Sequence, residues 1–401
     1  MDLSAAFDIV DHCILLRKLK SYNFSDETIQ WFKSYLEDRV QVVQVESKFS
    51  APEVLQKHSV PQGSVLGPLI FLIFNNDFPA SVVEGESVLY ADDDTDNVHS
   101  KDVKELTDMI QREAKRSTDW VADNRMVCSG SKTKLLILGT TQLRRSLLSN
   151  SNISIDVCGN RVQDSRSERL LGLTVNNQLT WSEYLYGEQW REKDNAIGLI
   201  PQLNKRVGLL SKLVKMMPIE KFKLLCNGLF YSKLLYCFQV FSHVWDISNL
   251  DQETRRFTAF TRKDNRQLQV LQNKVMRLQT GLPFRTPTVQ LTQATFDLSV
   301  QQLTAYTTLV TAQRSISSKQ PRYMADKLQL RTNEGNATFP LRQENTLRIP
   351  SNLTLARGGF FCRSSALFNQ LSSDLRSNMD PKQFKLKVKA WVRSNIPVKP
   401  D

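Results

Sequence analysis

The stretch VLYADDDTDNV, residues 88–98, places four carboxylates within five residues, directly after a short apolar run. An acidic run is usually a solvated loop, and that interpretation stays open at this point. Residues 88–91 also read as a strand and residues 95–98 as its return, which would crowd the acids into a hairpin turn. Carboxylates held together repel one another unless a cation lies among them. The stretch therefore predicts either an exposed loop or a metal-binding hairpin.

The segment MDLSAAFD at the start of the sequence supplies a further carboxylate. Asp2 lies 90 residues before Asp92, and we expect its segment to be extended. If Asp2 converges with Asp92 and Asp93, the three side chains can bind two divalent cations, the arrangement that supports in-line phosphoryl transfer. Mg²⁺ suits such a site because it prefers oxygen ligands and is typically bound by one or two carboxylates together with substrate phosphates.

The composition is that of a globular chain with an uneven charge. The 401 residues are 41% hydrophobic and carry a net charge of +12. Residues 1–180 hold 20 Lys and Arg against 25 Asp and Glu, whereas residues 181–401 hold 33 against 16. These counts predict an acidic, metal-using front joined to a basic back that binds a polyanion, with a basic solvated surface as the alternative.

Several other classes are disfavoured by the same sequence. The six cysteines are scattered without a CxxC pair, so we expect neither a disulfide framework nor a zinc site. The longest apolar run, Leu69–Phe74, is too short to span a bilayer, and we expect no membrane partner.

Residue periodicity predicts a mixed front and a helical back. In the front, we expect a helix capped by Ser25, an apolar helix within residues 60–78 and a helix over 102–121. Strands are predicted at residues 39–46, 134–138, 153–157 and 169–175. From Trp181 onward, helices are predicted over residues 197–217, 218–241, 266–280, 300–318 and 381–394.

Three motifs in one order and spacing identify a family: MDLSAAFDIVDH at residues 1–12, VPQGSVLGPLIFLIFNNDF at 60–78 and YADD at 90–93. The chain resembles the reverse transcriptases of non-LTR retrotransposons, of the LINE-like jockey type. YADD alone would be a weak signal, but further segments extend the resemblance over nearly the whole chain. These are NRMVCSGSKTKLLILG, RLLGLTVNNQLTW, YSKLLYCFQVFSHVW, LQVLQNKVMRLQTG and RIPSNLTLARGGFFCRSSALFNQL.

The resemblance implies a fold and three domains. The expected class is α+β, with a polymerase right-hand palm of antiparallel sheet plus helices, followed by an all-helical thumb and a C-terminal extension. The implied domains are a reverse transcriptase palm (1–178), a helical thumb or connection (179–290) and a basic C-terminal region (291–401). Because the family's fingers and endonuclease lie upstream of its first catalytic aspartate, we expect a truncated chain with an impaired site around Asp2.

The resemblance also assigns site residues. Asp2, Asp92 and Asp93 match the catalytic aspartates that bind two Mg²⁺ ions, or Mn²⁺ in their place. Lys132 matches a proton donor to the leaving pyrophosphate, with a solvated lysine as the alternative. Six residues are expected at the substrates: Leu3 as a carbonyl metal ligand, Phe7 as the aromatic that rejects ribonucleotides, Gln62 and Gly63 at the incoming nucleotide and template base, and Leu171 and Gly172 at the primer 3′ end.

One departure from the family pattern falls inside the acidic stretch. The family usually has a neutral residue where this chain has Asp94. We expect Asp94 either to draw a metal ion off centre or to point to solvent.

The function implied is that of an RNA-directed DNA polymerase, which transfers a nucleotide from dNTP to a primer 3′-OH on an RNA template. Because the family works at chromosomal DNA, we expect the protein in the nucleus or the cytoplasm. A catalytically impaired, truncated remnant that only binds nucleic acid is the main alternative. Another two-metal enzyme, such as a nuclease, is disfavoured because it would need neither the PQG turn nor the YADD hairpin.

Overall fold

The structure, a computed structural model, describes residues 3–54, 58–140, 142, 144–145, 153–187, 198–244, 260–330, 346–348, 359–377 and 380–398. Contacts between residues divide the chain into two compact units. The first comprises Met1–Glu168 and Asn176–Gln178, and the second comprises Arg169–Val175 and Leu179–Asp401. The three domains expected from the resemblance stay a prediction.

The first unit combines helices with short strands. Its described helices are α1 (His12–Ser21), α2 (Asp26–Leu36), α3 (Gly67–Asn75) and α4 (Val103–Asp123), with a 3-10 turn at Phe78–Ser81. Its strands are β1 (Val40–Gln41), β2 (Gln44–Val45), β3 (Lys48–Phe49), β4 (Glu53–Val54), β5 (Glu86–Tyr90), β6 (Asp93–Asn97), β7 (Ser154–Val157) and β8 (Asn160–Gln163). The mixed helix and strand content agrees with the α+β expectation.

Apolar residues at helical spacing form the core of the first unit. Leu15 and Leu19 of α1 are fully buried against the neighbouring helices, together with Phe74 of α3. Full burial of such side chains contributes about 1.5–3 kcal/mol each. The helix start predicted at Ser25 is confirmed, because its hydroxyl accepts a hydrogen bond from the Thr28 amide at 3.3 Å.

The strand predictions were less accurate than the helix predictions. The strand expected over residues 39–46 is broken into β1 and β2, and the one expected over 134–138 is wrong, since only Leu135 forms a bridge there, with Asp164. The strand expected over 169–175 is instead a hairpin of β9 (Ser167–Leu170) and β10 (Leu173–Asn176). In the part of the chain that the structure describes, the strands form separate two-stranded antiparallel pairs and not the continuous sheet expected of a palm.

The second unit is helical apart from the tip of the β9–β10 hairpin, as far as its described residues go. Its helices are α5 (Ser182–Tyr186), α6 (Leu199–Leu213), α7 (Ile219–Cys226), α8 (Ser232–Leu235), α9 (Phe238–Phe241), α10 (Arg262–Thr280), α11 (Thr288–Thr295), α12 (Val300–Ser318), α13 (Arg322–Lys327), α14 (Phe360–Asn369), α15 (Ser373–Arg376) and α16 (Pro381–Asn395). A 3-10 turn at Val214–Met216 and a π turn at Asn227–Tyr231 interrupt the helical order.

Two apolar clusters fill the second unit. The first is built around Phe222, Phe230, Phe238 and other residues of α5 to α10, and the second joins α12, α14 and α16. The stretch Ile219–Phe241 is long and apolar enough to cross a membrane by composition. A core helix of a soluble protein meets the same criterion, and this stretch buries all four of its phenylalanines, so the criterion assigns no membrane segment here.

Candidate active site

The acidic stretch forms the hairpin that the sequence predicts. Strands β5 and β6 pair antiparallel, with Tyr90 opposite Asp93 and Leu89 opposite Asp94. The turn between them passes through Ala91, whose φ of 56° is left-handed, and through Asp92. Asp92 and Asp93 are both exposed. Two adjacent carboxylates at the tip of a rigid hairpin are suitable oxygen ligands for a hard divalent cation.

The convergence of the three predicted carboxylates is untested, because Asp2 lies outside the described residues. Among the residues that are described, no group of three or more His, Cys, Asp and Glu could hold a metal ion. Asp92 and Asp93 are thus the two members of the predicted metal site whose placement the structure gives.

The expectations for Asp94 are wrong. Alternation along β6 turns its side chain to the face opposite that of Asp93, and it is buried at 7% exposure. There the Ser87 hydroxyl donates to Asp94 at 3.0 Å, and Ser117 of α4 donates to the neighbouring Asp96 at 3.1 Å. Burial and the Asp96 charge raise the pKa of Asp94 to about 7. Asp94 is therefore buried on the opposite face of the hairpin and is not available to a metal at the turn.

The segment that follows Asp2 is held by hydrogen bonds at both ends. Leu3 forms a bridge with Cys128, and the Ser4 amide donates to the Val127 carbonyl at 2.8 Å. Residues 4–8 form turns and not the extended strand expected from the sequence. The bridge at Leu3 is isolated, and the segment turns directly after it.

Phe7 lies beside the predicted nucleotide-binding turn. Its carbonyl accepts a hydrogen bond from the Val60 amide at 2.8 Å, directly before the PQG sequence. Its half-buried ring stacks on Phe71 of α3, with ring centroids 4.5 Å apart. The ring thus has a fixed support, as a steric gate would require; its role against ribonucleotides stays a prediction.

The PQG turn is joined to the same segment. Gln62 donates from Nε2 to Asp8 Oδ1 at 2.9 Å and is exposed. Gly63 has φ of 79°, and a Cβ there would meet nothing within 4 Å. The glycine is thus required by its left-handed backbone rather than by close packing, and the open space leaves room for a substrate.

Beside this turn lies a cavity of about 940 Å³ whose wall includes Asp8, Arg39, His58, Gln62 and Arg125. The Arg39 guanidinium donates to the Tyr35 carbonyl at 3.2 Å and lies over the Tyr35 ring. Arg125 pairs with the buried Asp11 at 2.8 Å. Sequence analysis missed both arginines, because neither lies in a motif and their proximity depends on the folding of distant segments.

Lys132 lies in the turn that follows Ser129, and its side chain is exposed. Its role as a proton donor stays a prediction.

Leu171 and Gly172 form the tip of the β9–β10 hairpin in the second unit, both with positive φ. The Tyr236 hydroxyl donates to the Leu171 carbonyl at 2.5 Å, and a Cβ on Gly172 would lie 3.5 Å from the Tyr236 ring. Tyr236 was not singled out by the sequence, although it lies within the YSKLLYCFQVFSHVW segment. It fixes the tip in the position that the structure describes.

Three cations lie near this tip. Arg169 precedes it by two residues, and Lys233 lies one helical turn before Tyr236. Arg206 of α6 donates to the Leu229 carbonyl at 2.5 Å, one turn before Lys233. Burial, and then the charges of Arg206 and Arg169, lower the pKa of Lys233. Cations gathered in this way attract anions, and we refer to these three residues as the cation trio.

Comparison with known proteins gives a family for the first part of the chain. A family model described as reverse transcriptase (RNA-dependent DNA polymerase) matches residues 1–175. The match includes Asp92, Asp93, Phe7 and the PQG turn.

Individual relatives extend the similarity. The RNA-directed DNA polymerase from mobile element jockey of Drosophila melanogaster is 26% identical over 264 residues, which is 64% of this chain and 27% of the relative. The probable RNA-directed DNA polymerase from transposon X-element of the same fly is 27% identical over 285 residues, 70% of this chain and 28% of the relative. A third, from transposon BS, is 44% identical over 79 residues, 20% of this chain and 8% of the relative. The two longer alignments each cover more than 175 residues, so they extend beyond the family match into the helical part. The chain spans little more than a quarter of the length of those relatives.

Proposed function

We propose that this chain, whose residues 1–175 belong to the reverse transcriptase family, carries the polymerase centre of a LINE-like, non-LTR retrotransposon. The observation that supports this most directly is the β5–β6 hairpin, which presents Asp92 and Asp93 at an exposed turn inside the family match. The proposed reaction is RNA-directed DNA synthesis, with attack of a primer 3′-OH on the α-phosphate of dNTP. The proposed place of action, following the family, is the nucleus or the cytoplasm.

The residues present fit divalent magnesium, because the donors at the turn are carboxylate oxygens. In the proposed site, Asp2, Asp92 and Asp93 would hold two Mg²⁺ ions, with Leu3 contributing its carbonyl. Bound there, the ions would stabilise the charge on the attacking and leaving oxygens of the phosphoryl transfer. The hairpin contributes preorganisation, since its paired strands and the buried Asp94–Ser87 contact fix the turn before substrate arrives.

The nucleotide is proposed to bind where Phe7, Gln62 and Gly63 come together. The Phe7 ring, supported by Phe71, would close against the sugar and exclude a 2′-hydroxyl. The open space at Gly63 would admit the base, and the adjacent cavity carries Arg39 and Arg125, whose charges favour an anionic substrate. Lys132 is proposed as the donor of a proton to the leaving pyrophosphate.

The primer is proposed to contact the second unit as a helical thumb. Leu171 and Gly172 would meet its 3′ end, with Tyr236 as their support. The cation trio lies near this tip and would contact backbone phosphates, which need charge but no base reading. The template would be RNA and the primer DNA, as the family's activity requires.

Primer extension on poly(rA)/oligo(dT) with Mg²⁺ tests the proposal. We expect the 401-residue chain to incorporate dTTP and Asp92→Asn to reduce the rate at least about 10²-fold, as removal of a catalytic charge contact does. Asp119→Asn, which removes an exposed carboxylate from α4, is the matched control and should retain the rate.

A folded chain that binds the duplex but incorporates nothing would replace the proposal with its alternative, a catalytically impaired retroelement remnant that only binds nucleic acid. Equal incorporation by the wild type and Asp92→Asn would overturn the assignment of the hairpin.

A further inference from the structure

Two cysteines that are distant in sequence lie side by side in the first unit. The segment Cys128–Gly130 passes directly against the turn between β7 and β8. A Cβ added at Gly130 would lie 2.4 Å from the Val157 carbonyl oxygen and 2.6 Å from the side-chain Nδ2 of Asn160, so only glycine allows this approach. Cys158 lies in that turn, with a φ of 50°.

The two side chains lie close to each other. The segment that carries Cys128 packs against the β7–β8 turn that carries Cys158, and the two thiols interact electrostatically. Cys158 is exposed and Cys128 is half-buried. Cys158 is thus the thiol that reagents in solution reach, and Cys128 is the protected one behind it.

We propose that Cys128 and Cys158 are a reversible disulfide-forming pair, a modification site that closes when the chain meets an oxidised thiol compound such as glutathione disulfide. Thiols on segments that approach this closely need only a small side-chain movement to reach the separation of about 2 Å at which sulfurs bond. The polymerase activity plays no part in this inference.

The exchange balances in two steps. The Cys158 thiolate attacks one sulfur of glutathione disulfide, forms a mixed disulfide and releases one glutathione thiolate, which takes up a proton. The Cys128 thiol then loses its proton and attacks the Cys158 sulfur, which releases the second glutathione. Two protein thiols are oxidised, and one glutathione disulfide is reduced to two glutathione molecules.

The bond would fix the backbone that holds the start of the domain. Cys128 forms the bridge with Leu3, and Val127 accepts the hydrogen bond from the Ser4 amide at 2.8 Å. A covalent link from Cys128 to the β7–β8 turn restricts local opening of this segment. Oxidation is therefore expected to slow hydrogen exchange at the Ser4 amide.

Mass spectrometry of the full chain after incubation with glutathione disulfide tests the pair. We expect loss of two free thiols and one peptide link between Cys128 and Cys158. In Cys158→Ser, Cys128 should stay reduced, whereas Cys13→Ser, which removes an exposed thiol on α1, should leave the link unchanged.

Amide exchange of Ser4 in the oxidised and reduced wild type provides the second readout, and it should slow only when the link is present. A mixed disulfide that persists on Cys158 while Cys128 stays free would overturn the proposal. So would a link that joins Cys128 to a different cysteine.

Discussion

At the scale of single residues, Phe7 is the side chain whose chemistry can be tested most simply. Its ring is stacked on Phe71 and its backbone is bonded to Val60 beside the PQG turn. We expect Phe7→Ala to lower the preference for dTTP over UTP about 10–100-fold, the range in which a pocket discriminates by shape. Competitive primer extension measures this ratio.

Phe71→Leu is the matched variant for that experiment, since it keeps the Phe7 ring but removes its stacking partner. A smaller loss of discrimination is expected from it. An active enzyme with unchanged sugar discrimination in Phe7→Ala would remove Phe7 from the role of gate.

Single residues also show which parts of the site can be predicted from the sequence and which cannot. The hairpin itself was predicted correctly, because a strand, a turn and a return strand follow directly from the local pattern, although the return strand begins at Asp93 and only Asp92 of the pair lies in the turn. Asp94 was placed wrongly, because its burial depends on other segments that approach β6 only in the folded chain, among them Ser117 of α4, which donates to the neighbouring Asp96. Arg39, Arg125 and Tyr236 were missed for the same reason, since their contacts come from other segments of the fold.

At the scale of elements, the interface between the β5–β6 hairpin and α4 predicts a dependence of stability on pH. The pKa of Asp94 rises from 3.8 to about 7 in the folded chain, through burial and the Asp96 charge. Within that window the native state binds more protons than the unfolded state, so the free energy of unfolding falls as pH rises. We expect Asp94→Asn to reduce this fall by roughly 1–4 kcal/mol.

Urea unfolding of the wild type and Asp94→Asn between about pH 4 and pH 8 measures the effect. In the unfolded chain, Asp94 is taken to have the pKa of an ordinary aspartate. Asp119→Asn, exposed on α4, is the control and should keep the wild-type slope. If Asp94→Asn has the same slope as the wild type, the carboxyl is not held in the way described.

Helices were easier to predict than strands in this chain. A helix satisfies its backbone locally, so apolar spacing and a cap such as Ser25 are enough to locate it. A strand needs a partner, and the partner of β1 is β4, more than ten residues away. The residues expected as a strand over 169–175 hold a tight turn at Leu171–Gly172, which β-branched neighbours concealed.

At the scale of the whole molecule, the charge asymmetry predicts how nucleic acid is held. Removing one cation that neutralises a phosphate should reduce the slope of log affinity against log salt by about 0.7–0.9. We expect Lys233→Gln, in the cation trio, to lower the affinity for a primer–template duplex and to reduce the slope by about 1, uniformly over sequences.

Fluorescence anisotropy over a salt series measures that slope. Lys382→Gln, at the exposed start of α16, removes the same charge elsewhere in the second unit. If both variants weaken binding equally, the affinity reflects overall charge and not the cation trio.

In the proposed polymerase centre, Asp2 and Asp92 bind the same metal ions. A double-mutant cycle on Mn²⁺ affinity in the presence of dTTP tests it, with Asp2→Asn, Asp92→Asn, the double variant and Asp119→Asn as the control. Each single variant should weaken binding at least about tenfold, and the double variant should lose less than the sum of the two free-energy changes, because residues that share one ion do not act independently. An Asp2→Asn chain with wild-type Mn²⁺ affinity would contradict the account.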